Sequence, residues 1–233
     1  MQNVEADVRI GHSVGEFFLP YLSSTTQRLW VMSPWISEEF MDLLLSKKLA
    51  GVDVRVMTTN DFNPEQKKAL SKLIESQVRI LKPENKTVKF LGLGLLIAGI
   101  ALAPLTVGVT LIVSFIGLVM FLIGKEKTEV YWISKLGENN LKVYVSSMYH
   151  INHAKIYIAD SVAILGSANF TGAGTKRNFE SMISVKSDEL VAEICKQMDE
   201  LPHLLNLKEA SYDSIAESIR RTESNRRYHY WNE

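Results

Sequence analysis

Cysteine is almost absent from this chain. The single Cys195 excludes an intrachain disulfide framework. An excess of either charge is also missing: 26 lysines and arginines meet 26 aspartates and glutamates, so no global positive field draws in nucleic acid or an anionic membrane. Any basic surface must be local. The opening MQNVEADVRI lacks the basic and apolar regions of a secretory signal, so a reducing, cytoplasmic setting is expected. Charged side chains vanish altogether over residues 90–124, FLGLGLLIAGIALAPLTVGVTLIVSFIGLVMFLIG. What remains in 233 residues is enough for one large domain, or one domain with an appendage.

The apolar run is more than a core requires. Lys82, Lys86 and Lys89 precede it and Lys125 and Lys127 follow it, and a bilayer-spanning helix needs about 20 apolar residues. APLTVG at 103–108 offers a break, because proline removes a helix hydrogen bond. Two segments are therefore expected, roughly 90–103 and 105–123. Strand-like runs lie on both sides and should share one sheet, which favours a hairpin over a single crossing. Basic residues at both ends place those ends on the cytoplasmic side. At ~1.5 Å per residue the first segment reaches only about 21 Å, against ~30 Å of hydrocarbon, so the hairpin dips into a bilayer or barely spans it. The competing reading is a buried helical pair or an oligomer contact. Gly94 and Ala98, four apart, suit close helix packing. GLGLLIAG lacks the spacing and strand context of a dinucleotide fingerprint.

Elsewhere helix and strand patterns alternate, which reads as α/β. An amphipathic stretch near 13–25 precedes RLWVMSPW at 28–35. SEEFMDLLLSKKLAG then carries helix start and stop signals in order, and VDVRVMTT returns as a strand. A helix is expected at about 64–77, then strands at 78–81, 129–133 and 141–145. The expected organisation is a first domain part at 1–89, a membrane-inserted helical hairpin at 90–124, a second domain part at 125–206 and a helical tail at 207–233.

HAKIYIAD at 153–160 alternates with period two, so His153 and Lys155 point the same way. Asp160 and Ser161 suit a turn, and VAILGS returns as a second strand. A two-residue loop sets Lys155 across from Gly166 and His153 across from Ala168, close to Ser167 and Asn169. An imidazole, an ammonium and amide or hydroxyl donors gathered in this way suit a phosphate, and histidine can attack phosphorus or pass a proton.

This constellation, His153-x-Lys155-x4-Asp160 followed by Gly166-Ser167-x-Asn169 and then NFE at 178–180, resembles the HKD signature of the phospholipase D superfamily. SPWIS at 33–37 fits more loosely. The resemblance implies a phospholipase D-like mixed β-sheet flanked by helices, here interrupted by the hairpin. It implies that His153 is the nucleophile forming a phosphohistidine, that Lys155 and Asn169 hold the phosphate with help from Ser167, and that Glu180 orients the imidazole. Asp160 is a supporting residue or simply ends the hairpin. No cofactor is implied, and positive side chains replace a metal.

A second H-x-K is missing: His12, His150, His203 and His229 lack a lysine two residues on. The two displacements of a phosphohistidine mechanism need a second histidine, so the sequence is similar to the single-motif branch, the dimeric bacterial endonuclease and mitochondrial phospholipase D-like proteins. An isologous homodimer with its active site at the two-fold interface is expected. His150-x2-His153 alone makes a poor zinc site. Lys176 and Arg177 either grip a second phosphate or lie in an ordinary loop. The tail, with Arg220, Arg221, Arg226 and Arg227 among Tyr228, Tyr230 and Trp231, suits interfacial anchoring, base stacking or a docked helix. Membrane lipid is the expected partner and phospholipid the expected substrate; nucleic acid as substrate and an inactive membrane scaffold are the alternatives.

Overall fold

The structure is a computed structural model and describes residues 4–61, 63–102, 107–145 and 152–230. In chain order the elements are β1 (Glu5–Gly11), α1 (Gly15–Ser24), β2 (Arg28–Met32), a 3₁₀ turn (Glu38–Phe40), α2 (Met41–Leu49), β3 (Asp53–Thr59), α3 (Pro64–Leu73) and β4 (Ile74–Lys82). There follow α4 (Lys86–Ala101), α5 (Val107–Gly124), β5 (Lys127–Ser134), β6 (Leu141–Val145), β7 (Ile156–Ala159) and β8 (Val162–Gly166). A π-helical turn (Ala173–Arg177), β9 (Glu180–Lys186), α6 (Asp188–Leu204), β10 (Lys208–Glu209) and α7 (Tyr212–Tyr230) complete the chain. Two compact units result, one from Met1–Glu75 with Trp132–Glu233 and one from Ser76–Tyr131.

The first unit is built on an eight-stranded sheet in the order β1-β9-β8-β7-β2-β3-β6-β10. β3 pairs parallel with β2 and with β6, and the other neighbours are antiparallel. The central strands are buried on both faces, so their side chains alternate between two cores rather than between core and water. Leu29, Val31 and Tyr157 enter a layer with Phe18, Leu22, Leu44 and Leu70, while Trp30, Met32 and Ile158 meet Val191, Cys195 and Met198 of α6. Helix starts follow from local chemistry. Asn63 caps α3 by accepting from Gln66 N at 2.9 Å, with Pro64 in the first turn, and Ser187 caps α6 by accepting from Leu190 N at 3.2 Å. The tail is docked, with Ile215 and Ala216 of α7 buried in the first core.

Several expectations shift. The helix expected to reach residue 77 stops at Leu73, because Ile74 already opens β4. Strand β1 occupies a stretch for which no element was expected. Regular pairing of β7 begins at Ile156 rather than His153, yet the anticipated register holds: Ile156 faces Leu165, and Gly166 N donates to Lys155 O at 3.3 Å.

In the second unit α4 and α5 form an antiparallel hairpin joined to the β4-β5 ribbon. Asn85 caps α4 through Val88 N, and its own N–H donates to Gly124 O at 3.0 Å, closing the base. The helices touch through glycine, but not at the expected pair. A Cβ on Gly92 would lie 2.4 Å from Phe121 N, and one on Gly99 2.8 Å from Ser114 N, whereas Gly94 faces open space. Among the described residues no helix is long and apolar enough to cross a membrane. The 16 residues of α4 and 18 of α5 extend about 24 and 27 Å, short of ~30 Å of hydrocarbon, so the transmembrane reading of the hairpin is withdrawn.

The turn between β7 and β8 is held by Asp160, which has a positive φ of 54°. Its Oδ2 accepts from Thr26 N at 2.9 Å, and its Oδ1 from Gln27 N and Arg28 N at 2.8 and 2.9 Å, fastening the hairpin to the start of β2. Burial opposes the charge, but the N–H groups of Arg28, Thr26 and Gln27 outweigh it and hold the carboxyl below its ordinary value. Asp160→Ala should cost about 2 kcal/mol and lower the melting temperature by roughly 5 °C. A carboxyl depressed on folding stabilises above its ordinary pKa of 3.8 and loses that contribution as pH falls through the folded value. The stability gap between wild type and Asp160→Asn should therefore close below about pH 4 in thermal melts.

Candidate active site

The loop after β8 is positioned from beneath by aromatic packing. Phe170 stacks on Phe40 with centroids 4.4 Å apart, and Tyr157 lies between Phe18 at 4.9 Å and Phe170 at 5.7 Å. Each such pair contributes about 1 kcal/mol beyond its buried area. The fully buried Tyr157 hydroxyl donates to Ala168 O at 2.7 Å, pinning the backbone between Ser167 and Asn169, and burial pushes the phenol far above its ordinary pKa. Gly166 is needed for proximity, since a Cβ there would lie 2.1 Å from Ser181 O.

The segment after β2 closes over this loop. Ser33 Oγ accepts from Phe170 N at 3.0 Å and donates to Trp35 O at 2.7 Å, Ser37 N donates to Phe170 O at 3.0 Å, and Ile36 forms a bridge with Phe170. Thr58 and Thr59 hydroxyls donate to Pro34 O at 3.1 and 2.8 Å. Segments distant in sequence thus meet at His153.

Lys155 Nζ lies 2.7 Å from His153 Nδ1, 3.1 Å from Nε2 and 2.7 Å from His153 O. Lysine is the donor, so whichever ring nitrogen accepts is the one without a proton. The lysine is only 7% exposed, while the imidazole is exposed. Desolvation lowers the pKa of Lys155 against the opposing charge of Glu180. Desolvation, and then the Lys155 charge, lower that of His153.

Glu180 is 9% exposed and stands in a second cluster. Ser167 Oγ donates to its Oε2 and Asn178 Nδ2 to its Oε1 at 3.1 Å, while Ser167 Oγ also accepts from Ser181 N at 3.0 Å. Both carboxylate oxygens are engaged away from His153, so the expected direct orientation of the ring by Glu180 is not seen; its charge acts on Lys155 instead. Asn169 Oδ1 is buried without a hydrogen-bond partner, leaving amide capacity unspent beside the loop. Asp160 supports the hairpin turn.

Lys176 pairs at the surface with Glu39 at 2.8 Å. His150 lies outside the described residues, and among those described no group of three or more His, Cys, Asp or Glu could hold a metal ion. Sequence reasoning missed Trp35, whose ring lies 5.6 Å from that of His153 at 83°. It also missed Asn152, buried beside the histidine with Nδ2 unpaired. The signal for Trp35 was its place just past β2, the strand that pairs with β7.

Residues 107–201, which contain every one of the expected site residues, match the family model described as cardiolipin synthase, PLD-like domain. No curated protein matches the sequence. The chain is similar in fold to Nuc from Salmonella typhimurium, a phospholipase D family member, at 14% identity and a TM-score of 0.50 over 89% of this chain and 99% of that one. Similarity to phosphatidylserine synthase from Haemophilus influenzae Rd KW20 runs at 10% identity and a TM-score of 0.48, over 90% and 40% of the two chains. For NucT from Helicobacter pylori the figures are 12% and 0.47, over 85% and 95%. The HKD constellation thus lies inside the segment that is similar to the PLD-like domain family, on a sheet whose fold is similar to that of a phospholipase D family member.

Proposed function

We propose that this chain cleaves phosphodiesters through a phosphohistidine at His153, and that it does so at a membrane surface on phospholipids. The observation that carries the reading is the state of Lys155. It is a buried ammonium whose Nζ, among the described residues, is hydrogen-bonded to His153 alone and paired with no carboxylate. A buried cation without an anion is costly, and a phosphate oxygen supplies the missing partner.

When the ammonium turns to a phosphate oxygen, the ring nitrogen it held is freed. A His153 nitrogen then forms the P–N bond as the P–O bond to the leaving alcohol breaks. Lys155 and the Asn169 amide hold the non-bridging oxygens. The leaving oxygen needs a proton, and the chain has no second H-x-K to give it. In the proposed two-fold dimer the partner subunit's His153 supplies that proton, then accepts one from the water that attacks phosphorus and breaks the P–N bond.

The substrate reading rests on the hairpin. Phe90 and Phe115 are each 66% exposed, and Ile100, Leu111 and Ile112 lie open with them. Apolar area gains ~25 cal/mol per Å² on leaving water, and helices too short to cross can still seat this surface in one leaflet. Lys82, Lys86, Lys89, Lys125 and Lys127 at the base favour the cytoplasmic leaflet.

The test is purified protein, with chelator present, on headgroup-labelled liposomes and on single- and double-stranded DNA and RNA. Lipid turnover is expected, and His153→Ala or Lys155→Met should reduce it about a thousandfold or more. Cleavage of nucleic acid alone would replace the substrate class with the nuclease alternative, and native turnover by His153→Ala would leave only a scaffold. The acid limb of kcat/KM reports the attacking imidazole in the free enzyme. Its lowered pKa keeps the neutral nucleophile available at more acid pH, so that limb should lie below the ordinary histidine value of 6.5. Replacing residues 90–124 by a Gly/Ser linker should abolish flotation with liposomes; a linker variant that still floats removes the hairpin from membrane binding.

A further inference from the structure

An attacking imidazole needs a fixed ring plane, and among the described residues no carboxylate fixes that of His153. Lys155 touches the ring, but that contact is surrendered when its ammonium moves to phosphate. The aromatic ring packed against the imidazole is that of Trp35, with centroids 5.6 Å apart and planes at 83°. Its indole Nε1 donates to Asp61 Oδ2 at 2.8 Å. We propose that Trp35, tethered by Asp61, is the positioning residue that holds the His153 imidazole in line for attack. The inference rests on the reading of His153 as nucleophile.

Trp35 is itself firmly held. Its carbonyl accepts from Ser33 Oγ, the preceding carbonyl of Pro34 takes two threonine hydroxyls from β3, and Ile36 and Ser37 are joined to Phe170. The segment is therefore anchored to β3 on one side and to the loop after β8 on the other. The half-buried indole stands between them, its ring edge tied by Asp61. A contact of this kind persists through the displacement, because it involves neither ring nitrogen in a hydrogen bond. The charged groups around the ring are Lys155 beside it, Asp61 bonded to the indole and Glu180 acting on Lys155. Trp35 needs to touch neither substrate nor water to do this work.

Two readouts on the full chain test it. One is kcat and KM on bis(p-nitrophenyl) phosphate. The other is NMR titration of the His153 ring in histidine-labelled protein, assigned by the resonance lost in His153→Gln. In Trp35→Leu, kcat should fall about ten- to a hundredfold with KM within about threefold, since misorientation near a reacting atom acts on the chemical step. The ring, no longer screened by indole, should titrate closer to the ordinary histidine value. Trp35→Phe, which keeps a ring, should recover kcat to within about fivefold, and Asp61→Asn should fall between. Near-native kcat in Trp35→Leu with an unmoved His153 titration overturns the proposal, as does a rise in KM at constant kcat, which would place the indole on the substrate. If Trp35→Leu fails to fold, Trp35→Phe and the exposed Asp61→Asn carry the same comparison. A wild type that turns over no diester removes the nucleophile reading, while the titration series still decides whether the indole governs the ring.

Discussion

Slipping the pairing of β7 against β8 by one residue would turn His153 and Lys155 toward α6 and deliver Ala154 to the face they now occupy. The register of this one hairpin therefore decides whether an active site exists. It is fixed at the turn, where Asp160 takes a left-handed backbone conformation and gathers the N–H groups of Thr26, Gln27 and Arg28. It is fixed again at the open end, where Gly166 lies too close to Ser181 to admit a side chain. Asp160, five positions from Lys155 and seven from His153, thus helps to fix it from the turn.

The electrostatics follow from that placement. A lysine carried into the sheet by its strand partner loses water and cannot find a carboxylate, because Glu180 is held by Ser167 and Asn178. The imidazole accepts the ammonium instead. The ammonium is thereby held against the ring without a carboxylate among the described residues to neutralise it, which is the state on which the proposed phosphate chemistry rests.

How much of this could be read in advance depended on distance along the chain. The hairpin was legible because period-two alternation and two turn residues are local, and the register predicted from them put Lys155 opposite Gly166 as observed. The sheet class was legible from alternating patterns, though β1 was not assigned and α3 was drawn past Ile74, where β-branched and polar residues give helix and strand similar support. The glycine seam was misplaced because facing positions in a hairpin depend on how the helices cross, and Gly92 and Gly99 face α5 where Gly94 does not. Trp35 was visible only as part of SPWIS, with no role to be read for it, and the engagement of Glu180 was illegible. The first depends on β2 lying beside β7, the second on which of several nearby donors reaches the carboxylate, and neither is a property of a short segment.

The seam between α4 and α5 has a wider consequence. Backbone lies close to backbone at Gly92, Gly99 and Gly117, with the Ser114 hydroxyl also seated against Gly99. Cohesion of that kind comes from dispersion and shape fit rather than from the expulsion of water. A pair of helices joined in this way depends little on the polarity of its surroundings for its grip, so the shape of the hairpin is set by its own glycines and not by what lies around it.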